Sequence, residues 1–301
     1  MGTQLPSSIP GLRDFVSDSE RFEDVFETAF LPNNDGVPKL ERWFEMDFEQ
    51  EVVVKMTKSH PTDKELRLLG IGTGNGRTDT MMLEKFLRHF TKIHYTVVEP
   101  DQPAFKEFKD TVEKSSNLSN VIFDWQNTTI EEYWTNSEDS QEFDFISMVH
   151  TAYYLEDVGM TMDRLLASLT VGGASLLVHK SGENKTSEFA HQLPWISKPS
   201  HMSPGRRILD AARRANQRRL RVTPFPAVID VTSVFDAGSD VGPKLMDFLT
   251  QGAYFCQTAS EDVLNGTMDI LRSLTTKSDD GKRILISNDF EIIEIWKDPS
   301  S

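Results

Sequence analysis

Short apolar runs alternate with amphipathic stretches through the middle of the chain. Runs at 66–71, 94–99, 121–125, 143–149 and 174–179 are rich in Val, Ile, Leu and Phe and have the length of buried strands. Between them, 78–90, 102–114, 130–134 and 158–169 set apolar residues at helical spacing. This alternation predicts a parallel sheet covered by helices on both faces. Before it, residues 1–15 are polar, with Pro6, Ser7, Ser8 and Pro10, and read as a loose start. Ser17 or Ser19 would cap a helix carrying Phe22, Val25 and Phe26; a loop at 32–36 leads to a longer helix at about 37–57. Val171-Gly172-Gly173 reads as a turn between a helix and the fifth strand. Near the end, 283–287 and 290–296 read as two strands joined by a short turn, an antiparallel hairpin.

The first of these strands runs into Gly72-Thr73-Gly74-Asn75-Gly76, and the second ends on Glu99. Glycines after a strand let backbone N–H groups approach a ligand with no Cβ in the way. An acid ending the next strand, 27 positions after Gly72, is spaced to accept hydrogen bonds from two ribose hydroxyls. The pair describes a site for an adenosine-containing cofactor. The dinucleotide fingerprint wants a glycine where Arg77 stands. Gly-x-Gly-x-Gly is instead the form usual in Rossmann-like S-adenosylmethionine (SAM) methyltransferases. Those enzymes often carry an acid two residues before the first glycine, and here that residue is Gly70.

Composition narrows the partners. The chain has 301 residues, enough for one elaborated domain or two small ones. A net charge of −15 disfavours general binding to nucleic acid or anionic membranes. Cys256 is the lone cysteine, so an internal disulfide is excluded and a reducing compartment fits. No secretory signal is visible, no apolar run reaches the roughly 18 residues of a membrane span, and Pro6 occupies the Ser/Thr position a myristoylation site requires. Asn117, Asn127, Asn184 and Asn265 head Asn-x-Ser/Thr triplets, chance matches without secretion. A cytoplasmic protein is expected, acting on small molecules and as a monomer. Seven arginines cluster at 206–221; with Ile208, Ala212 and Ala215 they suggest a helix with a solvated Arg face, or an anion-binding surface or lid.

The chain resembles the histamine N-methyltransferases over nearly its whole length. The residues that carry the resemblance are Leu69 to Gly76, Thr96 to Pro100, Ser116 to Val121 with Phe123 and Trp125, Phe143 to Ile146, and Tyr153-Tyr154. Asp247 to Thr250, Phe255 and Ile286-Ser287-Asn288 continue it. The resemblance implies a Rossmann-like class I SAM methyltransferase of α/β class, with a seven-stranded, mostly parallel sheet, a C-terminal antiparallel hairpin and helical substrate-binding elements. It implies one methyltransferase domain over 1–301. A helical substrate cap would occupy 15–60, the SAM-binding half 61–180, pocket insertions 181–281 and the hairpin 282–301.

By position, Gly72 and Gly74 would line the methionine side of SAM, with Glu99 on its ribose. Ala104, Ile130 and Val149 match cofactor neighbours, although Ala104 and Ile130 cannot repeat the polar side-chain contacts of the family. Glu41 matches the glutamate that binds the substrate amine. Tyr154, Phe255, Asn288 and Phe26 match pocket positions. His150 replaces a glutamine that touches substrate, and is a candidate both for cofactor contact and for taking a proton from the product nitrogen.

Each assignment has a structural counterpart. Glu41 lies in an acidic helix face, Phe255 reads equally as core, and Asn288 as a turn residue. Tyr153 and Tyr154 would face opposite ways if extended, and Tyr154 is the one expected in the pocket. Methyl transfer from a sulfonium needs a nucleophile with a free lone pair. An imidazole, with a pKa near ~6.5, has one at neutral pH, whereas an alkylamine near ~10 does not. An imidazole acceptor is therefore favoured, and the resemblance implies histamine as the first one expected, with S-adenosylhomocysteine as the other product. Histidine, carnosine or another biogenic amine are alternatives, as is a SAM-binding protein without catalysis.

Overall fold

The computed structural model describes residues 5–136, 141–182, 184–196, 205–214 and 218–297. The chain divides into two compact units. One contains the described residues of 39–179, 204–223 and 291–301; the other contains those of 1–38, 180–203 and 224–290.

Seven strands form one mixed sheet: β1 (Glu65–Ile71), β2 (Lys92–Val98), β3 (Val121–Gln126), β4 (Phe143–Val149), β5 (Leu169–Lys180), β6 (Arg218–Phe225) and β7 (Phe290–Lys297). Their order is β3-β2-β1-β4-β5-β7-β6. The first five pair in parallel, with Gly70 opposite Val97 and Ser147, and Val149 opposite Val178. The order in which strands are added reverses at β1, whose neighbours are β2 and β4, so the carboxyl ends of these three strands frame a crevice of the kind that binds ligands in α/β sheets. Six of the seven β4 residues are buried, which is why its sequence is an apolar run without alternation.

The helices are α1 (Gly36–Met46), α2 (Arg77–Leu87), α3 (Gln102–Lys114), α4 (Ile130–Asn136), α5 (Val158–Ala167) and α6 (Gly205–Arg214). Asp101 and Asp157 cap α3 and α5 by accepting from the amides of Ala104 and Met160. Beneath one face of the sheet Phe48, Phe86 and Phe145 meet at 5.0–6.0 Å. Leu69, Ile130, Met148, Leu165 and Leu177 belong to a second buried cluster of this unit.

The other unit holds a three-stranded antiparallel sheet (Thr276–Lys277, Ile284–Ser287, Val228–Asp230) and the short pair Arg13–Asp14 with Gly252–Ala253. Its core includes Leu245, Leu249, Phe189, Ile286 and Phe255. Asp247, fully buried on the helix Val241–Thr250, accepts from Arg21 Nε at 2.8 Å and from the amides of Tyr254 and Phe255 at 2.9 and 2.8 Å. That explains the aspartate of the Asp247–Thr250 segment: it neutralises a buried guanidinium and ties down the turn that follows.

Four expectations change. The terminal strands are not a hairpin: Ile284–Ser287 lies in the small sheet, while β7 lies between β5 and β6. The reason is visible at the turn, where the Asn288 amide donates to Ala227 O and the chain passes to another sheet. Gly172 and Gly173 do not interrupt the strand; Gly172, at φ 82°, lies inside β5. The helix expected over 37–57 ends at Met46 and continues through a π-helical turn, Glu49–Val53. Asp18, rather than Ser17 or Ser19, caps the helix Ser19–Val25.

The arginine-rich stretch is α6 followed by β6. Arg213, Arg214 and Arg221 meet Asp210, Asp163 and Glu51, so these guanidinium groups are paired within their unit. Ala215 and the side chains of Arg206, Ala212 and Arg218 lie outside the described residues, as do Met1 and Gly2.

Candidate active site

The glycine loop leaves β1 and enters α2. Gly72, Gly74 and Gly76 all have positive φ (63°, 55° and 75°). At Gly72 a second constraint applies, because a Cβ would lie 2.2 Å from Thr151 Cγ2. The Thr151 hydroxyl donates to Gly72 O at 3.0 Å and Gly72 N to Val98 O at 2.8 Å, so β2 and the turn after β4 hold the loop from two sides. A Cβ at Gly74 would meet open space.

Glu99 closes the other side of the crevice. It is buried, and its carboxylate accepts from Gly74 N at 2.7 Å and Asp101 N at 2.8 Å. Burial raises its pKa above the ordinary value, the two amides oppose the rise, and the Asp101 charge adds to it. Asn127 donates to Glu99 O at 2.8 Å and braces the strand end. The acid is thus preorganised by one amide of the glycine loop and one of the turn that follows β2.

The remaining cofactor-side positions separate by role. Ala104 offers only backbone, and its amide already donates to Asp101. Ile130 is 3% exposed and packs in the core with Leu69 and Met148. Val149 is half-buried, and its carbonyl accepts from Thr151 at 3.1 Å. His150 follows, exposed and at φ 53°, a left-handed conformation uncommon outside glycine. Its amide donates to Val178 O at 2.8 Å, and its Nδ1 lies 3.0 Å from the Tyr153 hydroxyl with the two rings stacked.

The segment after β4 is a turn, so alternation does not apply and Tyr153 is the ring placed on His150. Tyr154 is 59% exposed, edge-on to Tyr153. Glu41 on α1 forms an ion pair with Arg77 at 2.6 Å, at the start of α2. The same acidic face pairs again farther along, Glu49 meeting Arg88 and His89.

Phe26, Phe255 and Asn288 belong to the other unit. Phe26 stacks between Phe22 and Phe30, in a row that ends on Phe248 at 4.1 Å from Phe30. Phe255 is fully buried against Trp195. Asn288 is buried and its Oδ1 accepts from Thr186 at 3.0 Å, which gives it a structural bond whatever else it does. Arg77, Thr151, Tyr153 and Asn127 are the contributors that spacing alone does not reveal. Arg77 had a signal as the charged residue standing where the dinucleotide fingerprint wants a glycine, and Tyr153 as half of the Tyr153-Tyr154 pair.

No family model matches the chain. The histamine N-methyltransferase of Xenopus tropicalis is 28% identical over 96% of this chain and 99% of its own length. Over nearly its whole length the chain is similar to histamine N-methyltransferases, at the distance of a divergent relative. The Rattus norvegicus enzyme of that name is 25% identical over 94% of the chain and 97% of its own length. Among solved structures, the YcgJ protein of Bacillus subtilis matches with a TM-score of 0.51 and 19% identity, covering 82% of this chain and 97% of that one. That likeness concerns the fold, a class I methyltransferase fold. With these likenesses the protein is a SAM-dependent small-molecule methyltransferase. Among the described residues, no helix is long and apolar enough to cross a membrane.

Proposed function

We propose that the chain transfers the methyl group of SAM to a ring nitrogen of a small imidazole amine, with histamine as the reference acceptor. The observation that carries this reading is Glu99, a buried carboxylate at the end of β2 that is bonded to the glycine loop through the Gly74 amide. The residues fit the cofactor. Gly72, Gly74 and Glu99 would hold it, Gly74 faces open space, and Thr73 Oγ1 is buried with no hydrogen-bond partner among the described residues.

SAM, when bound, supplies a methyl group already activated by its sulfonium. The chain's own residues orient the acceptor and exclude water. The acceptor would present to that methyl group the imidazole nitrogen that carries no hydrogen. The methylated ring then holds an excess proton on its other nitrogen. His150, whose Nδ1 lies beside the Tyr153 hydroxyl, is the side chain that would take up that proton. Glu41 holds the ammonium of the acceptor by a charge-assisted bond, and Tyr154, exposed on the same unit, offers the acceptor an aromatic wall. The protein acts as a monomer in the cytoplasm, with small molecules rather than nucleic acid as partners.

The ion pair of Arg77 with Glu41 favours a second reading of the acceptor. A guanidinium beside the ammonium site suits a molecule that also carries a carboxylate, such as histidine or carnosine.

Calorimetry with SAM tests the cofactor half. Replacing Glu99 removes a charge-assisted acceptor worth about 1.5–3 kcal/mol per bond. Glu99→Ala is therefore expected to weaken SAM binding at least ~tenfold. Unchanged affinity would place the cofactor somewhere else.

A further inference from the structure

A second carboxylate lies by the glycine loop, and the role given to Glu99 leaves it unused. Asp79, in the first turn of α2, is 5% exposed. The Tyr95 hydroxyl, on β2 and 2% exposed, donates a short hydrogen bond to it. Tyr95 reaches Asp79 through the space beside Gly70. A Cβ at residue 70 would lie 1.9 Å from the Tyr95 hydroxyl oxygen and 2.7 Å from Thr73 Cγ2. Position 70 is therefore glycine because the phenol fills the room a side chain would need. It is also the position, two before Gly72, where SAM methyltransferases of this fold often carry an acid.

We propose that Asp79, oriented by Tyr95, is the missing acid of this cofactor site: a positioning residue that supplies, from the first turn of α2, the negative charge near the glycine loop that Gly70 cannot carry. The proposal rests on the reading of the glycine loop and Glu99 as the SAM site. The charge stands on the helix rather than on the strand, and Tyr95 holds it there.

The surroundings give the charge a consequence. The groups acting on Asp79 are the Tyr95 hydroxyl, a backbone amide and the negative charge of Glu99; Ser147, on β4, hydrogen-bonds Tyr95 from the other side. Burial pushes the Asp79 carboxyl up to about 7; the Tyr95 bond pulls it down and the Glu99 charge adds to the rise. Near neutral pH the pair is thus poised between its charged and protonated forms. A cation bound at the loop favours the charged form through the low-dielectric interior. SAM carries a sulfonium charge that S-adenosylhomocysteine lacks. SAM binding accordingly expels a proton from Asp79, and affinity for SAM rises with pH through neutrality more than affinity for the product does.

Calorimetric titration of the whole chain with SAM and with S-adenosylhomocysteine, between about pH 6 and about pH 8.5, tests this. Repeating it in two buffers of different ionisation enthalpy counts the protons released, and needs no variant. The expected result is proton release with SAM, less with the product, and an affinity for SAM that strengthens up to ~tenfold across the range. Asp79→Asn flattens the SAM profile, and Tyr95→Phe shifts its midpoint while leaving Asp79 able to titrate. Wild-type binding of SAM with no proton release and no pH dependence overturns the proposal, as does an Asp79→Asn profile identical to wild type. Glu99→Ala in the same series keeps the two failures apart: if it binds SAM as wild type does, the assignment of the site is wrong rather than the role of Asp79.

Discussion

Glu41 and Arg77 set the sharpest question at the scale of single residues. A carboxylate held by a guanidinium at 2.6 Å must exchange that partner for an incoming ammonium, and both groups are partly exposed. If Glu41 receives the amine, Glu41→Gln raises KM for histamine with little change in kcat, since the lost interaction holds ground and transition states alike. Arg77→Gln then lowers KM for histamine and raises it for histidine. Steady-state kinetics on the two acceptors would show this crossing. Unchanged KM in both variants assigns the pair to helix packing. Glycine loop and Glu99 were legible in the sequence because a turn and a strand end are local features with fixed spacing. Asp79 with Tyr95 was not, since the two lie 16 residues apart and meet only when α2 packs on β2. The choice between Tyr153 and Tyr154 misled for a related reason: it assumed extended chain where His150 turns left-handed.

Among elements, the alternation of strands and helices was readable, and every strand from β1 to β5 lies where an apolar run stands. What periodicity missed was pairing. Adjacent strands 283–287 and 290–296 look like a hairpin, yet β7 is buried along most of its length and has a strand on either side, β5 and β6. A strand with Ile292, Ile293 and Ile295 all buried needs such neighbours, and that was the available clue. The helix Val241–Thr250 shows how one side chain joins elements. Asp247→Ala would leave Arg21 Nε and two amides unbonded, with Asp24 still pairing the guanidinium, a loss on the order of 2–4 kcal/mol. Urea unfolding measures it. A change below about 1 kcal/mol would mean that the pair contributes no more than a surface ion pair does.

Taken whole, the molecule combines a class I methyltransferase sheet with a strongly acidic surface. A net charge of −15 draws cations such as SAM and protonated amines toward the protein and repels polyanions. The likeness to histamine N-methyltransferases was legible from motifs spread along the full chain, and the relatives match over nearly the same span. The acceptor was less legible, because its determinants are side-chain pairs rather than spaced motifs. The ion pair of Glu41 with Arg77 and the stacking of His150 on Tyr153 are both departures that only three-dimensional contact reveals.

Mass spectrometry of products from a pooled panel of imidazoles and alkylamines incubated with SAM tests the central claim most directly. The account predicts a single added methyl on a ring nitrogen of an imidazole amine, with one S-adenosylhomocysteine formed per product, and with histamine or histidine leading the panel. Methylation confined to alkylamines, or SAM binding with no methylated product from any acceptor, would contradict it.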